Sequence, residues 1–382
     1  MSQLNSAPYH FTLHIRLTHA CNASCTYCSS WQKDPDERMK PDSFSACLDG
    51  VEDFWKLANI NPSFLNIEYV GGEILLVPES ELRSMVMMAR ERFGKTMTVR
   101  DGAQSNLIGS QRKIDALSQL FDGRIGTSVD HFTNQRQLGS KGSPAQKAGR
   151  YRTFFMTSSN NERSKAGKTH PAVLTLDNQT LEYLNDEITI AIEEGRDLTI
   201  RPVFQGGSVI GGITPEALGE ALVKGFAHWN GRGMRTRVEP FVSLLRRRLN
   251  SESPSPFCAW QRDCAVRSLS IEPNGDLYVC QELADMSSYR LGNLIRKEFD
   301  HALHNQLASR ESMLEKGCFE CPYFSSCQGG CMQQSVEAGT GMYGKTQWCK
   351  AWKMLFRVMD DLIETTGQSR LLARLNALHS EV

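Results

Sequence analysis

The chain has 382 residues, 40% of them hydrophobic, which is enough for a sizeable core and more than one ordinary domain usually needs. The 43 basic and 43 acidic side chains balance, so the composition gives no field that would favour nucleic acid or an anionic membrane surface as a partner. No window approaches the roughly 18 apolar residues of a membrane span, and no signal-peptide pattern opens the chain, so a cytoplasmic protein is expected.

Strand-like and helix-like segments alternate along the first 235 residues. Predicted strands cover 11–18, 64–70, 96–106, 125–130, 172–176 and 198–204, and predicted helices cover 42–57, 78–93, 111–121, 181–194 and 215–229. This order predicts an α/β fold with right-handed crossovers and a parallel sheet covered by helices. The polar stretch 157–170 interrupts the alternation and is predicted to be a surface loop, and the basic run 246–248 is predicted to be the solvated face of a helix.

Three cysteines, Cys21, Cys25 and Cys28, follow the first predicted strand within eight residues. Thiolates at this spacing can converge on one inorganic cluster. A closed zinc site or an electron-carrying cluster needs four protein ligands, so three cysteines leave one iron open to an exchangeable ligand. His19 is available as a fourth ligand, so the spacing predicts a metal without deciding between zinc and iron.

The C-terminal third contains a second group of cysteines. Its members are Cys258, Cys264, Cys280, Cys318, Cys321, Cys327, Cys331 and Cys349. An Asn-Gly turn predicts a β-hairpin over 268–279. Eight thiolates make two sets of four, and two four-iron clusters or two zinc sites satisfy this count equally well. The remaining cysteine, Cys47, lies in an amphipathic helix and is predicted to be a buried apolar residue.

The cysteine pattern resembles that of the radical S-adenosylmethionine (radical SAM) enzymes that carry a SPASM extension, with Tyr27 directly before the third cysteine of the first group. The resemblance implies a partial (β/α)6 barrel over 1–235, a linker helix region over 236–256, a SPASM domain over 257–365 and a tail over 366–382. It also implies three [4Fe-4S] clusters. Their ligands would be Cys21, Cys25 and Cys28 for the SAM-binding cluster, Cys258, Cys264, Cys280 and Cys331 for the inner auxiliary cluster, and Cys318, Cys321, Cys327 and Cys349 for the outer one.

Polar residues after the predicted strands resemble the motifs by which this family binds SAM. The implied contacts are Tyr27 near the adenine, Gly71, Gly72 and Glu73 for the SAM amine, Gln104 and Asn106 after the third strand, and Ser128, Asp130 and Arg136 for the ribose and carboxylate. Ligands of parallel sheets bind at the carboxyl ends of the strands, which is where these residues lie. His131 stands where a glycine is common in relatives.

An electron from the cluster cleaves SAM in this family to a 5'-deoxyadenosyl radical that abstracts hydrogen from the substrate. An inner cluster with four protein ligands would accept the electron left on the substrate, which predicts a two-electron oxidation that consumes SAM. Gln281 stands where the sulfatase-maturing branch has an Asp after the cysteine, which argues against formylglycine formation and makes Glu282 and Asp285 candidates for a catalytic base.

SPASM relatives mostly oxidise or cross-link peptides, so a peptide or protein substrate is expected, with an external reductant such as flavodoxin or ferredoxin. Only about ten residues precede the first strand, which is expected to leave no room for an N-terminal leader-binding domain. A peptide substrate would then be recognised by a separate protein or bind directly. The alternatives are a radical dehydrogenase or epimerase of a small molecule such as an aminocyclitol or sugar, and a zinc-organised scaffold without catalysis.

Overall fold

A computed structural model describes residues 9–166, 169–204, 212–250 and 258–378. The described residues form two compact units. The first contains 9–24, 28–126 and 263–309, and the second contains 25–27, 127–262 and 310–378 apart from the gaps.

The first six strands follow the predicted order, and five more strands come after them among the described residues. They are β1 (His10–Arg16), β2 (Phe64–Val70), β3 (Thr98–Gln104), β4 (Ile125–Val129), β5 (Ala172–Leu176), β6 (Leu198–Pro202), β7 (Val238–Glu239), β8 (Ser268–Ile271), β9 (Asp276–Tyr278), β10 (Gly292–Asn293) and β11 (Glu298–Phe299).

The helices alternate with the strands in the first two thirds of the chain and are short in the cysteine-rich region. They are α1 (Pro41–Leu57), α2 (Glu79–Phe93), α3 (Gln111–Leu120), α4 (Pro144–Ala166), α5 (Leu184–Glu194), α6 (Pro215–Gly231), α7 (Phe241–Arg248), α8 (His301–Ala308), α9 (Arg310–Met313), α10 (Lys316–Phe319), α11 (Phe324–Cys327), α12 (Met332–Glu337), α13 (Cys349–Thr366) and α14 (Gln368–Ala377).

The first unit has a mixed sheet in the order β11-β10-β9-β8-β1-β2-β3. Strands β8, β1, β2 and β3 are parallel, and β3 also pairs in parallel with Ile125–Gly126 of β4. The predicted hairpin is confirmed as the antiparallel pair β8 and β9. Sequence reasoning did not predict that β8 would pair with β1, since the two strands are more than 250 residues apart.

The second unit has a parallel sheet in the order β4-β5-β6-β7, to which β4 contributes Thr127–Val129. The α/β class with a parallel sheet is therefore confirmed. Local signals explain the elements: the Thr214 hydroxyl caps α6 by accepting from the Ala217 N–H at 3.1 Å, and Gly195 ends α5 at a left-handed φ of 63°. Alternate residues of β4 and β5 are buried.

The prediction of a surface loop is wrong over 157–166, because α4 continues to Ala166. Residues 167 and 168 of the predicted loop lie outside the described part of the chain. The polar residues of α4 are compatible with a helix since the Thr157 hydroxyl donates to the Thr153 carbonyl at 2.9 Å, and Ser159 accepts a bond of 2.6 Å from the buried Arg196. Such contacts satisfy polar side chains that otherwise compete with the helical backbone.

The basic run at the end of α7 is also not a solvated face. Arg246 is buried and donates to the Leu375 carbonyl at 3.0 Å, while Arg247 donates to the Ser326 carbonyl at 3.0 Å. Arg248 pairs with both oxygens of Asp360 at 2.7 and 3.0 Å. The three arginines therefore join α7 to segments much later in the chain.

No helix among the described residues combines the length and the apolar character needed to cross a membrane.

Candidate functional site

The glycine pair after β2 packs directly on the start of the cysteine loop. The Gly72 N–H donates to the Thr18 carbonyl at 2.7 Å, and the Glu73 N–H donates to the Ala20 carbonyl at 2.8 Å. A Cβ atom on Gly72 would lie 2.2 Å from the Ala20 oxygen, and one on Gly71 would lie 3.2 Å from the Thr18 oxygen. The turn therefore holds the backbone that enters the cysteine loop, and only glycine fits at position 72.

Glu73 links the carboxyl ends of β2 and β3. Its side chain is 1% exposed and accepts hydrogen bonds from the Ser105 hydroxyl at 2.7 Å, the Asn106 N–H at 2.7 Å and the Leu75 N–H at 3.0 Å. The carboxylate of Glu73, which is predicted to contact the amine of SAM, thus already accepts three hydrogen bonds from the protein.

Asn106 contacts the cysteine loop through Asn22, which lies between the first two cysteines. The Asn106 Nδ2 donates to the Asn22 Oδ1 at 2.7 Å, and the Asn22 Nδ2 donates to the Ile108 carbonyl at 2.7 Å. Gln104 ends β3, and its Oε1 would lie 2.3 Å from a Cβ placed on Gly126. Of these two strand-end residues, Asn106 is therefore the one that is bonded to the cysteine loop.

The three cysteines of the loop differ in exposure. Cys25 is buried and Cys21 and Cys28 are half-buried. The Ala23 N–H donates to the Cys21 sulfur at 3.4 Å.

Arg136 and Tyr27, two of the residues assigned to SAM binding from the sequence, lie together. The Arg136 guanidinium donates to the Tyr27 hydroxyl and lies 4.6 Å from the centre of the Tyr151 ring. Burial acts to lower the pKa of Arg136, but the nearby Tyr151, Tyr27 and Cys25 raise it well above its ordinary value. Within the described part of the chain, the buried Nε of Arg136 has no hydrogen-bond partner. A buried cation with an unused donor fits an anionic ligand.

The predicted ribose contacts lie on β4 and directly after it. Ser128 is a half-buried residue of the strand. The Asp130 carboxylate accepts from the N–H of Thr133 at 2.9 Å and from its hydroxyl, and from the Phe132 N–H at 3.3 Å. Asp130 therefore closes the turn that leads to Arg136. His131 pairs through its Nδ1 with Glu187 at 2.6 Å.

Asp285, one of the two candidate bases, lies beside the residue that follows Cys28. It accepts from the Ser29 hydroxyl at 2.6 Å and pairs with Lys33 at 3.0 Å. Glu282 directly precedes the short turn Leu283–Asp285 and makes no capping hydrogen bond there. The structure thus brings Asp285 to the cysteine loop.

Sequence reasoning missed a partly buried charge cluster beside the same segment. Arg16, the last residue of β1, pairs with Glu272 at 3.0 Å and donates to the Ser30 hydroxyl at 3.0 Å. Lys33 lies 3.5 Å from Glu272, so the two cations and the acids Glu272 and Asp285 compensate one another. The available signal was an arginine at the end of β1, shortly before the cysteine loop.

His19, the possible fourth ligand of a zinc site, lies among charged side chains. Burial, with the positive charges of Arg16 and Lys33, lowers its pKa to about 4, so it is neutral near pH 7. Its Nε2 lies 3.1 Å from a carboxylate oxygen of Glu37.

Four cysteines of the C-terminal region line one cavity of about 90 Å³ in the second unit. They are Cys318, Cys321, Cys327 and Cys349, the set predicted to hold the outer auxiliary cluster. Burial raises the pKa of Cys327 to about 12, and the negative charges of Cys349, Cys318 and Cys321 add to the shift. Four thiolates so close together repel one another unless a cationic centre compensates them, so this donor set fits a metal centre.

The chemistry of four thiolates suits an iron-sulfur cluster and zinc alike. Within the described ranges, no three or more His, Cys, Asp or Glu side chains are arranged around a single metal ion.

The other predicted set is placed as follows. Cys258 is exposed at the start of the turn Cys258–Trp260, and Cys331 directly precedes α12. Cys264 and Cys280 flank the hairpin, where the Ser268 hydroxyl lies 3.1 Å from the Cys264 carbonyl and 2.9 Å from that of Val279. Cys264 and Cys280 belong to the first unit, and Cys258 and Cys331 to the second.

Cys47 is 1% exposed, and burial raises its pKa to about 12. The prediction of a buried, apolar cysteine is confirmed.

No family profile and no curated protein sequence matches the chain. Its structure is similar to that of anSMEcpe with bound AdoMet, with a TM-score of 0.74 and 18% identity over 96% of this chain and 98% of that one. It is also similar to Streptococcus suis SuiB bound to S-adenosylmethionine, with a TM-score of 0.59 and 12% identity over 90% of this chain and 77% of that one. Both are radical SAM enzymes. The chain therefore has the fold of radical SAM enzymes, as the resemblance predicted.

Structures of the same two proteins with peptides are similar as well. One is anSMEcpe with bound AdoMet and Cp18Cys peptide, with a TM-score of 0.72 and 17% identity over 93% of this chain and 98% of that one. The other is SuiB bound to the precursor peptide SuiA, with a TM-score of 0.58 and 12% identity over 90% of this chain and 76% of that one.

Proposed function

We propose that the protein is a radical SAM enzyme in which Cys21, Cys25 and Cys28 hold a [4Fe-4S] cluster that binds SAM. The observation that carries the proposal is the loop of three cysteines after β1 in a fold shared with the AdoMet-bound anSMEcpe over 96% of the chain. When bound, the cluster and SAM supply a 5'-deoxyadenosyl radical that abstracts hydrogen from the substrate.

The proposal assigns tasks to particular residues near the cysteine loop. Arg136, with an unused buried donor beside Tyr27 and Cys25, binds the carboxylate of SAM. Gly71 and Gly72 allow the backbone at the end of β2 to approach the ligand closely. The remaining proposed SAM contacts are Tyr27, Glu73, Gln104, Asn106, Ser128 and Asp130.

Glu73 and Asp130 act in part by holding the backbone, because their carboxylates accept hydrogen bonds from the adjacent chain. Their contribution to SAM binding is therefore to keep the backbone beyond their own strands in a fixed geometry, in addition to any direct contact.

We further propose that the core is a partial (β/α)6 barrel followed by a SPASM domain with two auxiliary [4Fe-4S] clusters. The outer cluster is held by Cys318, Cys321, Cys327 and Cys349, and the cavity that these four residues line supports this set. The inner cluster is held by Cys258, Cys264, Cys280 and Cys331.

The proposed substrate is a peptide or protein, which undergoes a two-electron oxidation or a cross-link. The peptide-bound structures of anSMEcpe and SuiB support this class. Asp285 is the better of the two candidate bases, because it lies at the segment that follows Cys28 and is held there by Ser29 and Lys33. A flavodoxin or ferredoxin supplies the electron, and a separate protein can present the leader sequence.

The experiment is anaerobic purification followed by iron, sulfide and zinc analysis and by measurement of deoxyadenosine formed from SAM. Three clusters predict about twelve irons per chain with matching sulfide. Changing Cys21, Cys25 and Cys28 together to Ala should abolish deoxyadenosine formation, whereas Cys47→Ala is the matched control and should retain it. Zinc without SAM cleavage, or cleavage that persists in the triple variant, would contradict the proposal.

The substrate class is tested by co-expression with candidate peptides encoded beside the gene. Loss of two hydrogens from a peptide, detected by mass spectrometry, supports peptide maturation. Oxidation of a free sugar or aminocyclitol with no change in any peptide would instead identify a small-molecule dehydrogenase.

A further inference from the structure

The segment between Cys25 and Cys28 is held by a loop that follows β4. The Thr26 N–H donates to the Gln135 carbonyl at 2.9 Å, and the next residue, Tyr27, accepts from Arg136. Two consecutive residues of the cysteine loop are therefore bonded to two consecutive residues of the second loop.

Gln135 is itself anchored at the carboxyl end of β5. Its Nε2 donates to the Oδ2 of Asp177, the residue that follows β5. The other oxygen, Oδ1, accepts from the N–H groups of Gln179 at 2.9 Å and Thr180 at 3.0 Å. Gln135 and Asp177 are each 1% exposed.

This arrangement makes the backbone of Gln135 rigid. A hydrogen bond to a buried carboxylate is strong, and rotation of Gln135 away from Asp177 would leave buried polar groups unpaired. The carbonyl that accepts from the Thr26 N–H belongs to the same residue, so the side-chain anchor restricts its movement.

We propose that Gln135 and Asp177 are positioning residues that hold Thr26, and with it Cys25 and Tyr27, in the conformation that binds the cluster and SAM. The inference rests on the proposed function of the cysteine loop. It adds a second route of support besides Arg136, since Gln135 acts through the backbone and touches no proposed ligand.

The test exchanges the donor and the acceptor of the buried pair. Gln135→Glu places two carboxylates together, whereas the double variant Gln135→Glu/Asp177→Asn restores one hydrogen bond with the roles reversed at nearly unchanged volume. The asparagine introduced by Asp177→Asn keeps the oxygen that accepts from the N–H groups of Gln179 and Thr180. Gln137→Glu is the control, because this buried glutamine of the same loop donates to the Asn134 carbonyl at 3.0 Å and not to Asp177.

The first measurement is hydrogen–deuterium exchange in the full chain without added iron. Gln135→Glu should speed exchange of the Thr26 amide about tenfold, and the double variant should return it to the wild-type rate. The Gln137→Glu control should lose thermal stability without changing exchange at Thr26. If Gln135→Glu does not fold, the double variant decides: wild-type exchange supports the proposal and fast exchange overturns it.

The second measurement uses protein with reconstituted clusters. Gln135→Glu should weaken SAM affinity by about 10-fold to 100-fold. The EPR line shape of its reduced cluster in the presence of SAM should also differ from that of wild type. The double variant should restore both the affinity and the line shape. Unchanged SAM affinity and exchange in Gln135→Glu, or equal damage by Gln137→Glu, would overturn the inference. The proposed function fails separately, if wild-type protein assembles no cluster on its cysteine loop.

Discussion

Gly72→Ala should uncouple the end of β2 from the cysteine loop. The added Cβ would lie 2.2 Å from the Ala20 oxygen, 2.4 Å from the His19 oxygen and 2.6 Å from the Ala20 carbonyl carbon. All three are backbone atoms, so no side-chain rotation relieves the contact. The backbone entering the loop must move.

The size of the effect follows from two contributions. Overpacking of a well-packed site costs about 1–3 kcal/mol. A shift of the turn also weakens the bond from the Gly72 N–H to the Thr18 carbonyl, and a hydrogen bond of this kind contributes about 0.5–1.5 kcal/mol. The free energy of unfolding should therefore fall by about 1.5–4.5 kcal/mol. Iron bound by the three-cysteine loop should fall as well, because the turn holds the loop's first residues.

Urea unfolding of the cluster-free chain measures the stability, and iron analysis with SAM-dependent deoxyadenosine formation measures the site. Gly149→Ala is the control, since a Cβ at this position in α4 meets nothing within 4 Å. It should leave stability unchanged or raise it by about 0.5–1 kcal/mol. A Gly72→Ala protein that matches wild type in stability and in iron would refute the close packing on which this reasoning depends.

The remaining predictions concern other parts of the molecule. Arg136→Lys should weaken SAM binding by about 10-fold or more in calorimetry, since an ammonium group cannot supply the planar donors of the guanidinium; equal affinity would exclude Arg136 from the SAM site. Cys327→Ser should lower iron by about four per chain while SAM still binds, and an unchanged count would remove Cys327 from the ligands. Asp285→Asn should permit deoxyadenosine formation but reduce oxidised product, so equal product would eliminate Asp285 as the base. Burial acts to lower the pKa of His131, but the Glu187 carboxylate raises it above the ordinary value, so this pair stabilises the fold at acidic pH and the contribution declines as pH rises through the raised pKa. Urea unfolding at several pH values should show this decline above the ordinary histidine pKa of about 6.5 in wild type and not in Glu187→Gln.

The candidate site was partly visible in the sequence because its motifs are local. The three cysteines, the Gly-Gly-Glu turn and Asn106 all lie at or just after strand ends, and parallel strands present their carboxyl ends at one edge. The residues that bond to them were not visible. Asn22, Ser29 and Gln135 carry ordinary polar side chains whose importance depends on which segment they touch.

Two predictions about secondary structure and exposure were wrong because tertiary contacts are not visible in local composition. The stretch 157–170 was predicted to be a loop from its polar composition, but Arg196 pairs with Ser159 and stabilises the helix from outside it. The basic run 246–248 was predicted to be solvated, but its arginines find acceptors in segments more than ten residues away or at the end of the chain. Composition reports local preference, and tertiary contacts can outweigh it.

The sequence by itself determined the α/β class, the order of the strands as far as β6 and the grouping of the cysteines. Periodicity and spacing are local properties, so they can be read without knowing which segments meet. Only the tertiary structure decided that β8 pairs with β1 and that Gln135 bonds both to Thr26 and to Asp177. These contacts join residues far apart in the chain, and their geometry follows from packing of the whole chain rather than from any local preference.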